Sequence, residues 1–167
     1  ARILHMNGRH PGLSGEAIDL AKRSGTLVSF DGGAGRFREE SRPLFERADV
    51  LIVSIDFARA STGETRMQAM LTALASTGAA IVGITCGADG SEFLIPHEGG
   101  RRISQPAIPP DHLVDTTGCG DTFHGAFLHY LAKGAPMEEC CREASRMASQ
   151  NCGGPGGRFA IEGRDRA

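Results

Sequence analysis

The chain has 167 residues, 40% of them apolar and 23% charged, with a formal net charge of −2, which is enough for one ordinary globular core. The near-neutral balance, a single Tyr and the lack of Trp argue against a nucleic-acid surface, which needs a basic stripe and stacking aromatics. No apolar run approaches the ~18 residues of a membrane span, and the opening "ARILHMNGRH" has none of the parts of a secretory signal.

The elements alternate short apolar runs with helical patterns, the mark of a parallel sheet with crossover helices. "ILHM" reads as a strand and "SGEAIDLAKRSG" as a helix, with Ser14 as N-cap and Gly25 as stop. "TLVSFD" is a buried strand ending at Asp31; the loop "GGAG", a short helix "ESRPLFERA" and the strand "DVLIVS" follow. "GETRMQAMLTALASTG" is amphipathic, with Met67, Met70, Leu71 and Leu74 on its core face, and "AAIVGIT" is the fourth strand. At "SEFLIPHEGGRRISQP" the rhythm changes to an antiparallel hairpin. Two helices, "GDTFHGAFLHYLAKG" and "PMEECCREASRMASQ", come next, and the tail "NCGGPGGRFAIEGRDRA" is too glycine-rich for a regular element. The expected fold class is α/β, a doubly wound, mostly parallel sheet flanked by helices with a hairpin at one edge. The chain opens on a strand-like run without an initiator Met, which predicts a fragment whose earlier part is missing.

Ligands of such sheets collect beyond the carboxyl ends of the strands, which directs attention to Arg9, Asp31, residues 54–57, residues 86–90 and above all "DTTGCGDTFHGAF", residues 115–127. Gly118 and Gly120 leave the backbone bare where a helix starts, so the N–H groups of Gly118, Cys119 and Gly120 can face one anion. Such fixed donors stabilise a phosphoryl group in transfer. Asp121, in the first helical turn beside them, stands where a general base would accept a hydroxyl proton. Its work is to orient the hydroxyl and collect the proton late, which suits a loose transition state. A tight loop with an acidic helix cap would explain the three-residue pattern alone.

The five cysteines (Cys86, Cys119, Cys140, Cys141 and Cys152) have neither zinc spacing nor a disulfide framework, which fits a reducing cytoplasm. The histidines, His124 and His129 included, show no metal spacing. No G-x-G-x-x-G follows the first strand, against a dinucleotide-dependent oxidoreductase.

The stretch "DTTGCGDTFHGAF" resembles the C-terminal signature of the PfkB or ribokinase-like family of sugar and nucleoside kinases, D-T-x-G-A-G-D-x-F. "FDGGAGR", "ADVLIVSIDFARASTG" and "GITCGADGSEFL" match further family elements in order. The resemblance covers the chain as the C-terminal part of one ribokinase-like domain, residues 1–167, without the N-terminal part and its lid. It implies an ATP-dependent phosphotransferase acting on a sugar hydroxyl. Nucleoside phosphorylation, or nucleotide binding without turnover by the fragment alone, are the alternatives.

Carried over by position, the resemblance makes Asp121 the catalytic base, with Gly118, Cys119 and Gly120 as the anion hole. It sets Thr85, Gly87 and Gly90 against the nucleotide and Ala144 and Ala148 around the adenine. Asp115 would lie near a potassium or other monovalent cation. Arg9 becomes a phosphate candidate through a likeness of "HMNGRH" and "VSIDFA" to a ketohexokinase-like branch, while Asp31 is a substrate candidate from its place at the carboxyl end of its strand. Mg2+ is implied with ATP, but where the family carries N-x-x-E this chain reads Ser54, Ile55, Asp56, Phe57, leaving only Asp56 for the metal shell. Cys119 stands where Ala is usual, and a thiol at a helix N-terminus tends to be reactive, so a thiol reagent is expected to block nucleotide binding. Homodimerisation of the whole protein and a cytoplasmic location complete the expectations.

Overall fold

The computed structural model describes residues 1–162. They form two compact units: Ala1–Cys86 with Glu92–Ser104, and Gly87–Ser91 with the chain from Gln105 onward.

In the first unit, β1 (Ile3–Met6), β2 (Leu27–Gly32), β3 (Val50–Ser54) and β4 (Ile81–Thr85) run parallel, in register Ile3↔Leu27, Ser29↔Val50 and Val50↔Ile81. The hairpin β5 (Ser91–Ile95) and β6 (Arg101–Gln105) completes a sheet whose order is that of the chain, β1-β2-β3-β4-β5-β6. Ser104 Oγ donates across the hairpin to Glu92 Oε1 at 2.6 Å. Buried Val28 and Phe30, and Val50 to Val53, read as continuous apolar runs because both faces of these strands are covered.

Helix α1 (Pro11–Arg23) links β1 to β2, α2 (Arg42–Phe45) links β2 to β3, and α3 (Ile55–Thr62) and α4 (Met67–Ala75) link β3 to β4. Three details correct the sequence reading. Helix α1 starts at Pro11, whose ring presets φ and whose missing N–H costs nothing in the first turn. Ser14 therefore lies inside the helix, its N–H on His10 O and its Oγ on Arg9 O, and the N-cap is His10, in a left-handed conformation. Helix α3 was not expected, although its signals were present: Ser54 caps it by accepting the Phe57 N–H at 3.2 Å, and Gly63 ends it at φ +72°. Helix α4 starts four residues later than its amphipathic pattern, at Met67, and buries Met70, Leu71 and Leu74 as expected.

The core holds a cluster of Phe30, Phe37, Phe45 and Phe57 with ring centroids 5.4–6.4 Å apart. Arg42 lies 5.5 and 5.6 Å over the Phe37 and Phe45 rings while pairing with Glu39. The stretch "RPLFER", residues 42–47, is therefore half core, with Leu44 and Phe45 buried.

In the second unit, α5 (Cys119–Ala132) and α6 (Met137–Asn151) pack together, burying Phe123, Phe127 and Leu128 of one and Cys140, Cys141 and Ala144 of the other. A four-residue helix, α7 (Phe159–Glu162), forms in the tail expected to be irregular. Residues 163–167, the last of that tail, lie outside the described residues. Gly90 has φ +94°, and a Cβ there would stand 2.2 Å from Gln105 O. Gly90→Ala is expected to lower stability by more than ~1 kcal/mol, the cost of the left-handed conformation alone, as read by thermal unfolding.

Candidate active site

The sequence around residue 118 builds a turn that only glycine can make. Gly118 caps α5 at φ +71°, and a Cβ on it would stand 2.4 Å from Gly157 Cα, so the loop after α6 lies directly against the turn. Thr122 N–H donates to Gly118 O at 2.8 Å, which closes the first helical turn. Of the three N–H groups read as an anion hole, that of Cys119 donates to Thr116 O at 3.2 Å. Those of Gly118 and Gly120 meet no acceptor among the described residues, nor does that of Asp121. Two of the expected donors are thus open, and Asp121 adds a third at the end of the helix where an anion is favoured.

Asp121 is exposed and borders a hollow of about 460 Å³ shared with Thr122, Gly125, His129, Tyr130 and Arg158. Thr122 Oγ1, buried beside it, has no hydrogen-bond partner among the described residues. A carboxylate open to a hollow and adjacent to bare N–H groups can hold a hydroxyl against an anionic electrophile.

Two side chains, Asp115 and Asn151, and the Cys152 carbonyl hold this turn. Asp115 Oδ1 accepts the Thr117 N–H at 2.8 Å and Oδ2 the Gly156 N–H at 2.9 Å. The Gly156 bond, then the Thr117 bonds, keep its carboxyl below the ordinary aspartate range. Its folded value is depressed, so the stabilisation is present above the ordinary aspartate value and lost as pH falls through the folded one. Asp115→Asn is therefore expected to unfold more easily at neutral pH and to show a shallower acid limb, checked by unfolding midpoints from about pH 6 to about pH 2.

Asn151, fully buried at the end of α6, donates from Nδ2 to Thr117 O at 3.0 Å and Gly156 O at 3.3 Å, and accepts the Ala160 N–H at 3.3 Å. Cys152 follows it, and its carbonyl accepts the N–H groups of Val114 and Asp115. Its thiol lies 2.8 Å from that of Cys119. Burial, then the contact with Cys119, pushes the Cys152 thiol up to about 11. Burial also pushes Cys140 up to about 11 and Cys141 up to about 12, as for packed, inert thiols.

The remaining candidates fall as follows. In the second unit, Gly87 and Gly90 form a 3-10 turn closed by Gly90 N–H on Gly87 O at 3.1 Å. On α6, Ala148 is half-buried but Ala144 is fully buried, so only Ala148 offers surface to a ligand. In the first unit, Thr85 ends β4 with its Oγ1 3.5 Å from Val53 O. Asp31 is buried, with Arg36 3.7 Å away. Exposed Arg9 lies between β1 and α1, outside the residues that line a hollow of about 310 Å³ there; Asn7, Gly8, Arg36, Arg38 and Glu40 are among its walls.

Residues 54–57 make a poor metal shell. Ser54 is spent as a helix cap, Phe57 is in the aromatic core, and only exposed Asp56 offers an oxygen. No group of three His, Cys, Asp or Glu suited to a metal ion occurs among the described residues. None of their helices is long and apolar enough to cross a membrane.

Sequence reasoning missed Asn151, Gly157, Arg36 and Arg38. The glycine density of "NCGGPGG" signals that this loop approaches other backbone closely, but nothing local to it names Gly118 as its partner.

Comparison with known proteins gives these features a lineage. Mouse ketohexokinase is 33% identical over 118 residues, 70% of this chain and 39% of that protein. A cytidine kinase of Thermococcus kodakarensis is 34% identical over 107 residues, 63% of this chain and 37% of that protein. The solved structure of Arabidopsis thaliana ribokinase with ribose and ATP matches 97% of this chain and 55% of its own, at 26% identity and a TM-score of 0.77. The chain thus spans well under half the length of these two curated relatives. The fold is ribokinase-like, as the resemblance of the sequence implied. The model of the pfkB family of carbohydrate kinases matches residues 2–163, and with the glycine turn and aspartate of α5 in place, this chain belongs to that family.

Proposed function

We propose that the chain carries the phosphoryl-transfer part of an ATP-dependent kinase acting on a hydroxyl of a sugar. The observation that carries this reading is the start of α5, where acceptor-free N–H groups at Gly118, Gly120 and Asp121 adjoin an exposed carboxylate. In this proposal the sugar hydroxyl rests on the Asp121 carboxylate, which aims its oxygen at the phosphorus and takes the proton late. The open N–H groups stabilise charge on the moving phosphoryl group without reorganising. The Cys119 N–H joins them only by leaving Thr116 O.

The turn from Thr85 to Gly90 and the α6 face at Ala148 hold the nucleotide, with Ala144 packed beneath. Arg9, Asp31 and the arginines 36 and 38 serve the acceptor or its phosphate. Magnesium arrives with the nucleotide as part of the substrate, since Phe57 supplies no oxygen. To the same proposal belong a potassium ion near Asp115, self-association and a cytoplasmic location.

The cytidine kinase relative favours a second reading, nucleoside phosphorylation on the same turn. A third reading is nucleotide binding without turnover. The test is ADP release by the protein expressed from its gene, against a panel of ketoses, aldoses and nucleosides, with ATP binding measured in parallel. Sugar-dependent release supports the proposal and nucleoside-dependent release the second reading. Binding without turnover supports the third, and a protein that binds no ATP overturns all three.

A further inference from the structure

The two thiols at the α5 turn are placed for a reaction that phosphoryl transfer does not use. Cys119 and Cys152 are 33 positions apart in sequence, yet their sulfurs lie 2.8 Å from each other. Both residues are half-buried, so a small oxidant can reach them, whereas Cys140 and Cys141 are fully buried. The pair is held from several sides: Asn151 Nδ2 lies 3.8 Å from Cys119 Sγ, and the Cys152 carbonyl is tied to Val114 and Asp115. A disulfide has its sulfurs ~2.05 Å apart, so closure needs a shift of under an ångström with no partner to bring in.

We propose that Cys119 and Cys152 form an oxidative modification site, at which a peroxide closes a reversible disulfide between the start of α5 and the end of α6. One cysteine sulfur attacks a peroxide oxygen; the O–O bond breaks, the sulfur becomes a sulfenic acid, and the thiol proton leaves with the other oxygen as water. The second sulfur then attacks the first, the S–O bond breaks, the S–S bond forms, and the second thiol proton leaves with the hydroxyl as water. The two sulfurs lose two electrons together, and the two peroxide oxygens gain them. A low-molecular-weight thiol reverses the bond by exchange.

The consequence rests on the proposed kinase reading. The tether fixes Cys119 where its N–H serves Thr116 O, so a phosphate can no longer recruit that donor. Nucleotide affinity is expected to fall by about tenfold, the worth of one hydrogen bond to a charged group.

The test treats the protein with hydrogen peroxide, maps linked peptides by mass, and measures ATP binding before oxidation, after it and after reduction. Expected are a peptide pair joining residues 119 and 152, lighter by two hydrogens, and a loss of affinity that reductant restores. Cys152→Ser should keep the affinity of the reduced protein and lose its sensitivity to peroxide; Cys119→Ala should also form no link. Two thiols that remain free to alkylation after peroxide treatment would overturn the disulfide, and a linked protein of unchanged affinity would overturn its effect. A reduced protein that binds no ATP would sink the kinase reading instead, while the peptide map still decides the disulfide.

Discussion

Asp121→Asn is expected to lower kcat for ATP-dependent phosphorylation by about 10²–10⁴-fold, the usual contribution of a positioned base. Asn keeps the size of the side chain and its place in the first turn of α5, but it cannot take a proton. The N–H groups that would meet the phosphoryl group belong to the backbone at Gly118, Gly120 and residue 121, so they survive the substitution. The KM for ATP should therefore change little, and removing a negative charge beside an anion site can only favour the nucleotide. Steady-state kinetics separate the two effects. A variant that keeps its turnover would refute the base assignment, and one that loses ATP affinity in step with kcat would show that Asp121 serves binding instead.

Asn151→Ala should cost about 2–3 kcal/mol, because a buried amide would vanish and leave buried backbone groups without partners. The groups concerned are Thr117 O, Gly156 O and Ala160 N–H, one from each segment that meets at the turn. For a chain of this length that is roughly 5–10 °C in Tm. The damage should not stay local to α6, since the loop at Gly156 backs the Gly118 turn through Gly157. ATP affinity is expected to fall with stability, unlike the effect of an exposed control such as Leu20→Ala on α1. A loss below about 1 kcal/mol would mean that water replaces the amide, and Asn151 would then be no organiser of the site.

The sheet was legible because its signal is local: residues 50–53 are buried on both faces, and such strands must read as unbroken apolar runs. Helix α3 was lost for a local reason too. Its eight residues follow β3 without a loop, so the apolar run blurs into the helix and the Ser54 cap is the sole punctuation.

The chemical centre at residues 115–121 was readable because helix-end chemistry needs particular residues at fixed spacing. Its supports were not, because Asn151, Cys152 and Gly157 reach the turn across more than 30 positions, and the glycine density around them names no partner. Position 57 is instructive in the other direction. The departure from N-x-x-E was visible in the sequence, but only the aromatic packing explains it: Phe57 fills a core formed with Phe30, Phe37 and Phe45.

The sheet order that repeats the chain order has a consequence for how the molecule is made. Each of β2, β3 and β4 finds the strand it pairs with already synthesised, so β1 to β4 can assemble on the ribosome as they emerge. The Gly118 turn has the opposite history. It must wait for Gly157, so the turn closes only after the whole of α6 has been made.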